Sequence, residues 1–98
     1  MRKYEFYGQF KKDYKRVQKQ AYYNETFEKE LWEVVYKLAR DIPLEEKYKD
    51  HQLNGQKKNV RECHLRPNCL LVYSKDKEGL QLLLMRIGPH NKALKRLQ

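Results

Sequence analysis

The eight residues "LQLLLMRI" at 80–87 constrain the fold more than any other stretch of the chain. Leu80, Leu82 and Leu84 alternate with Leu83, Met85 and Ile87, so a strand here is apolar on both faces. Such a strand belongs inside a sheet covered on both sides. Ninety-eight residues form one domain with one small core, and the rest of the chain must supply the cover. The period of two also runs upstream. Residues 59–66 read as a strand, Pro67-Asn68 as a turn, "CLLVYS" from Cys69 as the next strand, and "KDKEG" at 75–79 as the turn into the last.

The first half has a different period. "KYEFYG" at 3–8 is a short aromatic strand ending in Gly8. Phe10, Tyr14, Val17 and Ala21 then recur at helical spacing among Lys11, Lys12, Lys15, Arg16 and Lys19, which predicts an amphipathic helix. Asn24 is placed to cap a second helix, with Glu25, Glu28 and Glu30 near its positive end. Phe27, Leu31, Val34, Val35 and Leu38 form its apolar stripe, and Pro43 stops it. The short link at 22–24 makes the pair a helical hairpin.

Residues 41–58 show no sustained period and one turn signal, Asn54-Gly55. A connection of that length in so small a domain is usually functional or mobile. The expected architecture is α+β in the order β-α-α-β-β-β. It is a small twisted, mainly antiparallel sheet with the helical hairpin packed on one face. Residues 1–98 form a single domain, and "NKALKRLQ" at 91–98 reads as a short basic C-terminal extension.

Charge narrows the class of partner. The chain carries 22 Lys and Arg against 13 Asp and Glu, a formal +9. The second half, from residue 51, is much the more basic, which suits a polyanion such as nucleic acid. A solvated basic surface without a nucleic-acid partner is the plainer alternative. No apolar run approaches the ~20 residues needed to span a bilayer. The N-terminus has no apolar signal core, so the expected location is the cytoplasm and no membrane partner is expected. Two cysteines, Cys63 and Cys69, are too few for a disulfide framework.

The three histidines, His51, His64 and His90, all lie in the basic half, with Arg61, Arg66 and Arg86 near them in this scheme. Alternation along the first hairpin strand puts His64 on one face with Val60, Glu62 and Arg66. Two imidazoles can serve as base and acid, and a guanidinium can hold a phosphate. RNA brings its own nucleophile, the 2′-hydroxyl, so cleavage needs no metal. Plain surface histidines are the competing reading. Other chemistries have less support: Ser74 is the only serine and sits in no nucleophile elbow, and no glycine-rich phosphate loop exists. Cys63, His64 and Cys69 have a spacing that matches no common zinc site, so no metal or cofactor is expected.

"EFYGQFKKDYK", "YKDHQLNG", "RECHLRPNCLLVY" and "LLLMRIGPH" together resemble the YafQ-like branch of the RelE/ParE toxin superfamily over nearly the whole chain. The resemblance implies a RelE-like fold and the toxin of a bacterial type II toxin–antitoxin pair. Such toxins are endoribonucleases (mRNA interferases) that cleave messenger RNA, typically on the ribosome. His51 falls on the histidine of the family's D-H-x-L-x-G block and His64 on that of R-E-C-H. Arg86 and His90 fall on the R-x-G-x-H block. The implied roles are general acid for His90, phosphate binding for Arg86, and base or substrate positioning for His51 and His64. Lys57, Lys58, Arg61, Arg66 and Asn68 flank these positions as the expected RNA-binding residues. The implied partners are a cognate antitoxin, mRNA, the ribosome, and operator DNA through the antitoxin complex only.

The chain also departs from the family pattern. Asn68 stands where the family has an aspartate, and it cannot accept a proton. Lys57-Lys58-Asn59-Val60 replaces W-K-G-Y, which removes two aromatic stacking surfaces, and Leu94 replaces a frequent aromatic. Two further readings therefore stay open. One is a toxin-fold protein with weak or no nuclease activity that binds antitoxin and nucleic acid. The other is a nucleic-acid-binding module whose histidines are bystanders.

Overall fold

The computed structural model describes residues 1–53 and 59–90. The elements are β1 (Lys3–Phe6), α1 (Gly8–Val17), α2 (Glu25–Ala39), a 3-10 turn (Glu46–Tyr48), β2 (His51–Gln52), β3 (Val60–Arg66), β4 (Cys69–Lys75) and β5 (Gln81–Gly88). They form a five-stranded sheet in the order β1-β5-β4-β3-β2. All neighbours are antiparallel except β1 and β5. The α+β class, the sheet and the helical pair are as expected. The Asn54-Gly55 turn and the basic segment 91–98 lie outside the described residues.

The helices follow the apolar spacing. Phe27, Leu31, Val34, Val35 and Leu38 are all buried against Leu71, Tyr73, Leu82 and Leu84 of the sheet. The Asn24 side chain accepts the Phe27 N–H at 2.8 Å, satisfying one of the amides a helix start leaves unpaired. At the other end the Ile42 N–H donates to the Lys37 carbonyl at 2.9 Å, with Asp41 in the left-handed region at φ 58°. That is a Schellman closure, made by an aspartate rather than a glycine.

Three local expectations change. Helix α1 ends at Val17, and Ala21 lies in the link. The chain turns early because Tyr22 and Tyr23 pack on Phe27, with ring centroids at 5.2 and 5.8 Å, which a continuing helix would prevent. The 41–58 segment holds the 3-10 turn and the two-residue β2, both too short to show a period. Finally, Leu80 is exposed, and a bulge where β5 passes Val72 and Tyr73 moves Ile87 to the helix-side core. The opposite face keeps a smaller cluster of Leu53, Val60, Val72 and Met85, with Leu83 packed against it.

Candidate active site

Strand β2 pairs with β3 so that His51 faces Glu62. His51 Nε2 lies 2.9 Å from Glu62 Oε1, and His64 Nε2 lies 3.9 Å from the same oxygen. The two imidazole centroids are 6.3 Å apart. Glu62 itself is buried, 4% exposed, and its Oε2 has no hydrogen-bond partner among the described residues. One buried carboxylate thus stands between two histidines that both reach solvent.

The two imidazoles are not equivalent. His51 Nδ1 is 2.7 Å from the Lys49 carbonyl oxygen, so both His51 nitrogens face acceptors. Both contacts are hydrogen bonds only when each nitrogen carries a hydrogen. His64 stands beyond hydrogen-bond range of Glu62, and no other side chain among the described residues hydrogen-bonds its ring nitrogens.

Arg61 and Asp50 hold the His51 segment in place. Arg61 Nη2 lies 3.3 Å from Asp50 Oδ2, and Arg61 Nε donates to the Tyr73 hydroxyl at 3.2 Å. Tyr73 in turn donates to Asp50 Oδ1. Burial, and then the Asp50 carboxylate, push the Tyr73 hydroxyl far above its ordinary range, so it stays a donor. Arg61 therefore lies on the helix side of the sheet, opposite His64.

Arg61 follows the alternation, whereas Arg66 departs from it, since strict alternation puts it on the His64 face. The register shifts between His64 and Arg66, and the guanidinium turns to α2 instead. There it pairs with Glu30 and lies 5.2 Å from the Phe27 ring centroid. Asn68 is exposed in the β3–β4 turn. Lys57 and Lys58 lie outside the described residues.

Arg86 shares a cross-sheet row with Val72 and Glu62, about 10 Å from Glu62 at sheet spacing. Its guanidinium does not extend along that row. Nε donates to Asp13 Oδ2 at 2.7 Å and Nη2 to Asp13 Oδ1 at 3.2 Å. Asp13, on α1, also accepts the Ile87 N–H at 3.1 Å, completing the β5 edge after β1 has ended. Both side chains are buried, and Arg86 Nη1 has no partner among the described residues.

His64, Leu70 and Gly88 form the adjacent row. Gly88 has φ 145°, a backbone state that favours glycine, and Pro89 follows it out of the sheet. His90 is exposed two residues beyond the end of the His64 row, and no described contact joins it to either other histidine. The sheet register therefore brings His51 and His64 together, sets Arg86 two strands away, and puts His90 just past the same end.

Both cysteines are buried on the helix side, facing away from His64. Burial pushes both thiols up, so neither is poised as a thiolate. The residues that the sequence did not assign are Glu62, Asp50 and Asp13. Glu62 is two positions from His64 on one strand, a visible signal. Its meeting with His51 needs a strand pairing that no local pattern encodes.

The family model described as the bacterial toxin of type II toxin–antitoxin systems, YafQ, matches residues 2–95. The mRNA interferase toxin YafQ of Escherichia coli strain K12 is 33% identical over 69 residues, covering 70% of this chain and 72% of that protein. The solved structure of a metal-bound toxin from Helicobacter pylori is 41% identical and covers 94% of this chain and 98% of its own, with a TM-score of 0.82. The E. coli DinJ–YafQ complex is 32% identical and covers 92% of this chain and 94% of its own, with a TM-score of 0.77. Sheet order, helical pair and nearly the full length agree with these relatives, and the chain belongs to the YafQ family of bacterial type II toxin–antitoxin toxins.

Proposed function

We propose that this protein is an mRNA interferase, an endoribonuclease that cleaves message by attack of the RNA 2′-hydroxyl on its own phosphodiester. The observation that carries the reading is the pair of imidazoles around Glu62, one fixed by two acceptors and one free. His64 is the base that takes the 2′-hydroxyl proton. The 2′-oxygen then bonds to phosphorus, and the 5′-oxygen leaves with a proton from His90. The products are a 2′,3′-cyclic phosphate and a 5′-hydroxyl. His51, held by Glu62 and the Lys49 carbonyl, positions the substrate beside His64, and Arg86, buried on Asp13, adds its positive charge from two strands away.

The described residues hold no group of three or more His, Cys, Asp or Glu side chains arranged for a metal ion. No helix among them is long and apolar enough to cross a membrane. The DinJ–YafQ complex supports a cognate antitoxin as partner, and the basic half gives an acidic segment of that partner a complementary surface. The ribosome as the place of cleavage, operator DNA bound through the antitoxin complex, and the cytoplasm as location complete the proposal.

Single-turnover cleavage of ribosome-bound message with end-group analysis tests it. The wild type should leave a 2′,3′-cyclic phosphate, its cleavage of free RNA should survive excess EDTA, and His90→Ala should lose about 10²–10⁴-fold in rate while still binding RNA. Full activity in His90→Ala, with wild-type products, overturns the mechanism. EDTA loss restored by a divalent ion moves the chemistry to a metal. A toxin that binds RNA and antitoxin without any cleavage would instead favour the binding-module reading, which the buried Arg86 and the exchange at Asn68 support.

A further inference from the structure

Arg86 is buried on Asp13, so the cation that first meets an RNA backbone beside His64 must come from elsewhere. A cleft of about 390 Å³ opens there, within the size range of ligand sites. Lys47, Lys49, His64, Leu65, Arg66 and Pro67 line it. Its position follows from topology. Among the described residues β2 pairs with Arg61 and Glu62 only and no strand covers the β3 edge from Cys63 onward, and the 3-10 turn packs alongside that edge. Tyr48 anchors the turn in the core, its hydroxyl pushed up to about 12 by burial and then by Glu30.

Three cations thus border the cleft that His64 also lines. Among the described residues one carboxylate reaches them: Glu30 pairs with Arg66 and lies 4.0 Å from Lys47 Nζ. Three positive charges against the one carboxylate within 4.0 Å of them leave a positive excess on these side chains. Lys49 is also tied to the histidine site by its own backbone. It sits in the left-handed region at φ 50°, and its carbonyl is the one that His51 Nδ1 meets at 2.7 Å. The residue that orients His51 therefore projects its ammonium from the same short segment that borders the cleft.

We infer that the Lys47–Lys49–Arg66 cleft is a binding subsite for the phosphodiester backbone of single-stranded RNA, holding the nucleotides next to the scissile phosphate. The inference rests on the mRNA interferase reading for its ligand, and it adds Lys47 and Lys49 to the residues that engage it. An acidic polypeptide could use the same charges. RNA is favoured because His64, the base proposed for RNA cleavage, forms part of the wall.

The test is binding of a mixed-sequence single-stranded RNA oligonucleotide, 2′-O-methylated throughout to prevent cleavage, as a function of salt. The variants are Lys47→Gln, Lys49→Asn and their combination. Asparagine tolerates the left-handed backbone at position 49 while removing the charge. Lys29→Gln, on α2, is the control. Each phosphate contact contributes about −0.7 to the slope of log affinity against log salt on single strands. The double variant should therefore bind more weakly and lose about 1.4 from the wild-type slope, with Lys29→Gln unchanged. A steep wild-type slope that the double variant retains overturns the subsite and leaves the proposed function standing. A flat wild-type slope overturns both. Poly-glutamate binding that depends on Lys47 and Lys49, with RNA binding that does not, reassigns the cleft to a protein partner and overturns the proposal.

Discussion

His51 and Glu62 face each other across the β2–β3 pair with 2.9 Å between Nε2 and Oε1, and the carboxylate is buried while the imidazole is half-exposed. This contact and the Lys49 carbonyl fix the ring from both sides. Glu62→Gln keeps the shape of the side chain but removes the charge. It should leave thermal stability unchanged or slightly raised, since a buried carboxylate oxygen without a partner is costly. Cleavage should fall about 10²-fold through loss of ring positioning. Equal rates for Glu62→Gln and wild type in single-turnover assays would remove Glu62 from the site.

Arg86 and Asp13 form the most buried ion pair described, and removing one partner of such a pair is more damaging than removing both. Arg86→Ala should destabilise the fold by about 3–5 kcal/mol, because Asp13 is left charged and buried. Adding Asp13→Asn should recover part of that loss without restoring cleavage. Urea midpoints for the single and double variants, beside their cleavage rates, separate the structural share of Arg86 from its share in catalysis.

Asn68 sits exposed in the β3–β4 turn, and the resemblance sets it where the family has an aspartate. Asn68→Asp puts a carboxylate, which can accept a proton, at this turn. If a carboxylate shares the base role, cleavage should rise, by up to about 10²-fold. Stability should shift by no more than about 0.5 kcal/mol at this surface site. An unchanged rate would show that His64 alone meets the need for a base.

The far end of the sheet holds two carboxyls whose protonation should cost stability. Asp76 accepts the Gln81 N–H at 2.9 Å and the Leu80 N–H at 2.9 Å, and Arg2 Nη1 lies 2.6 Å from it. The Gln81 amide, ahead of the other donors, holds the Asp76 carboxyl below its usual range. A hydrogen bond from Lys75 does the same for Asp41, which also pairs with Arg2. Carboxyls whose folded pKa lies below the unfolded value stabilise the protein above the ordinary carboxylate pKa of about 4, and the benefit is lost as pH falls through the folded value. The urea midpoint should therefore drop below about pH 4, and the drop should be smaller in Asp76→Asn. Identical acid profiles for the two proteins would move the sensitivity to other groups.

Local spacing determined much of this protein. The stripe from Phe27 to Leu38, the Asn24 cap, the three long strands and the Pro67-Asn68 turn are all legible. Each depends on residues a few positions apart, through helix period, strand period or a single cap. The resemblance located His51, His64, Arg86 and His90 as residues of interest.

Tertiary structure decided how those residues meet. β2 is two residues long and exists because β3 offers it a ladder, so no period announces the His51–Glu62 contact. One bulge sends Arg66 to Glu30 and another sends Ile87 to the helix-side core, and each reverses the face that strict alternation assigns. Arg86 turns to Asp13 because β1 ends at Phe6, and α1 brings a carboxylate to the open β5 edge. In each case the partner lies on another element, and strand register, which a one-residue bulge resets, decides whether the two side chains meet.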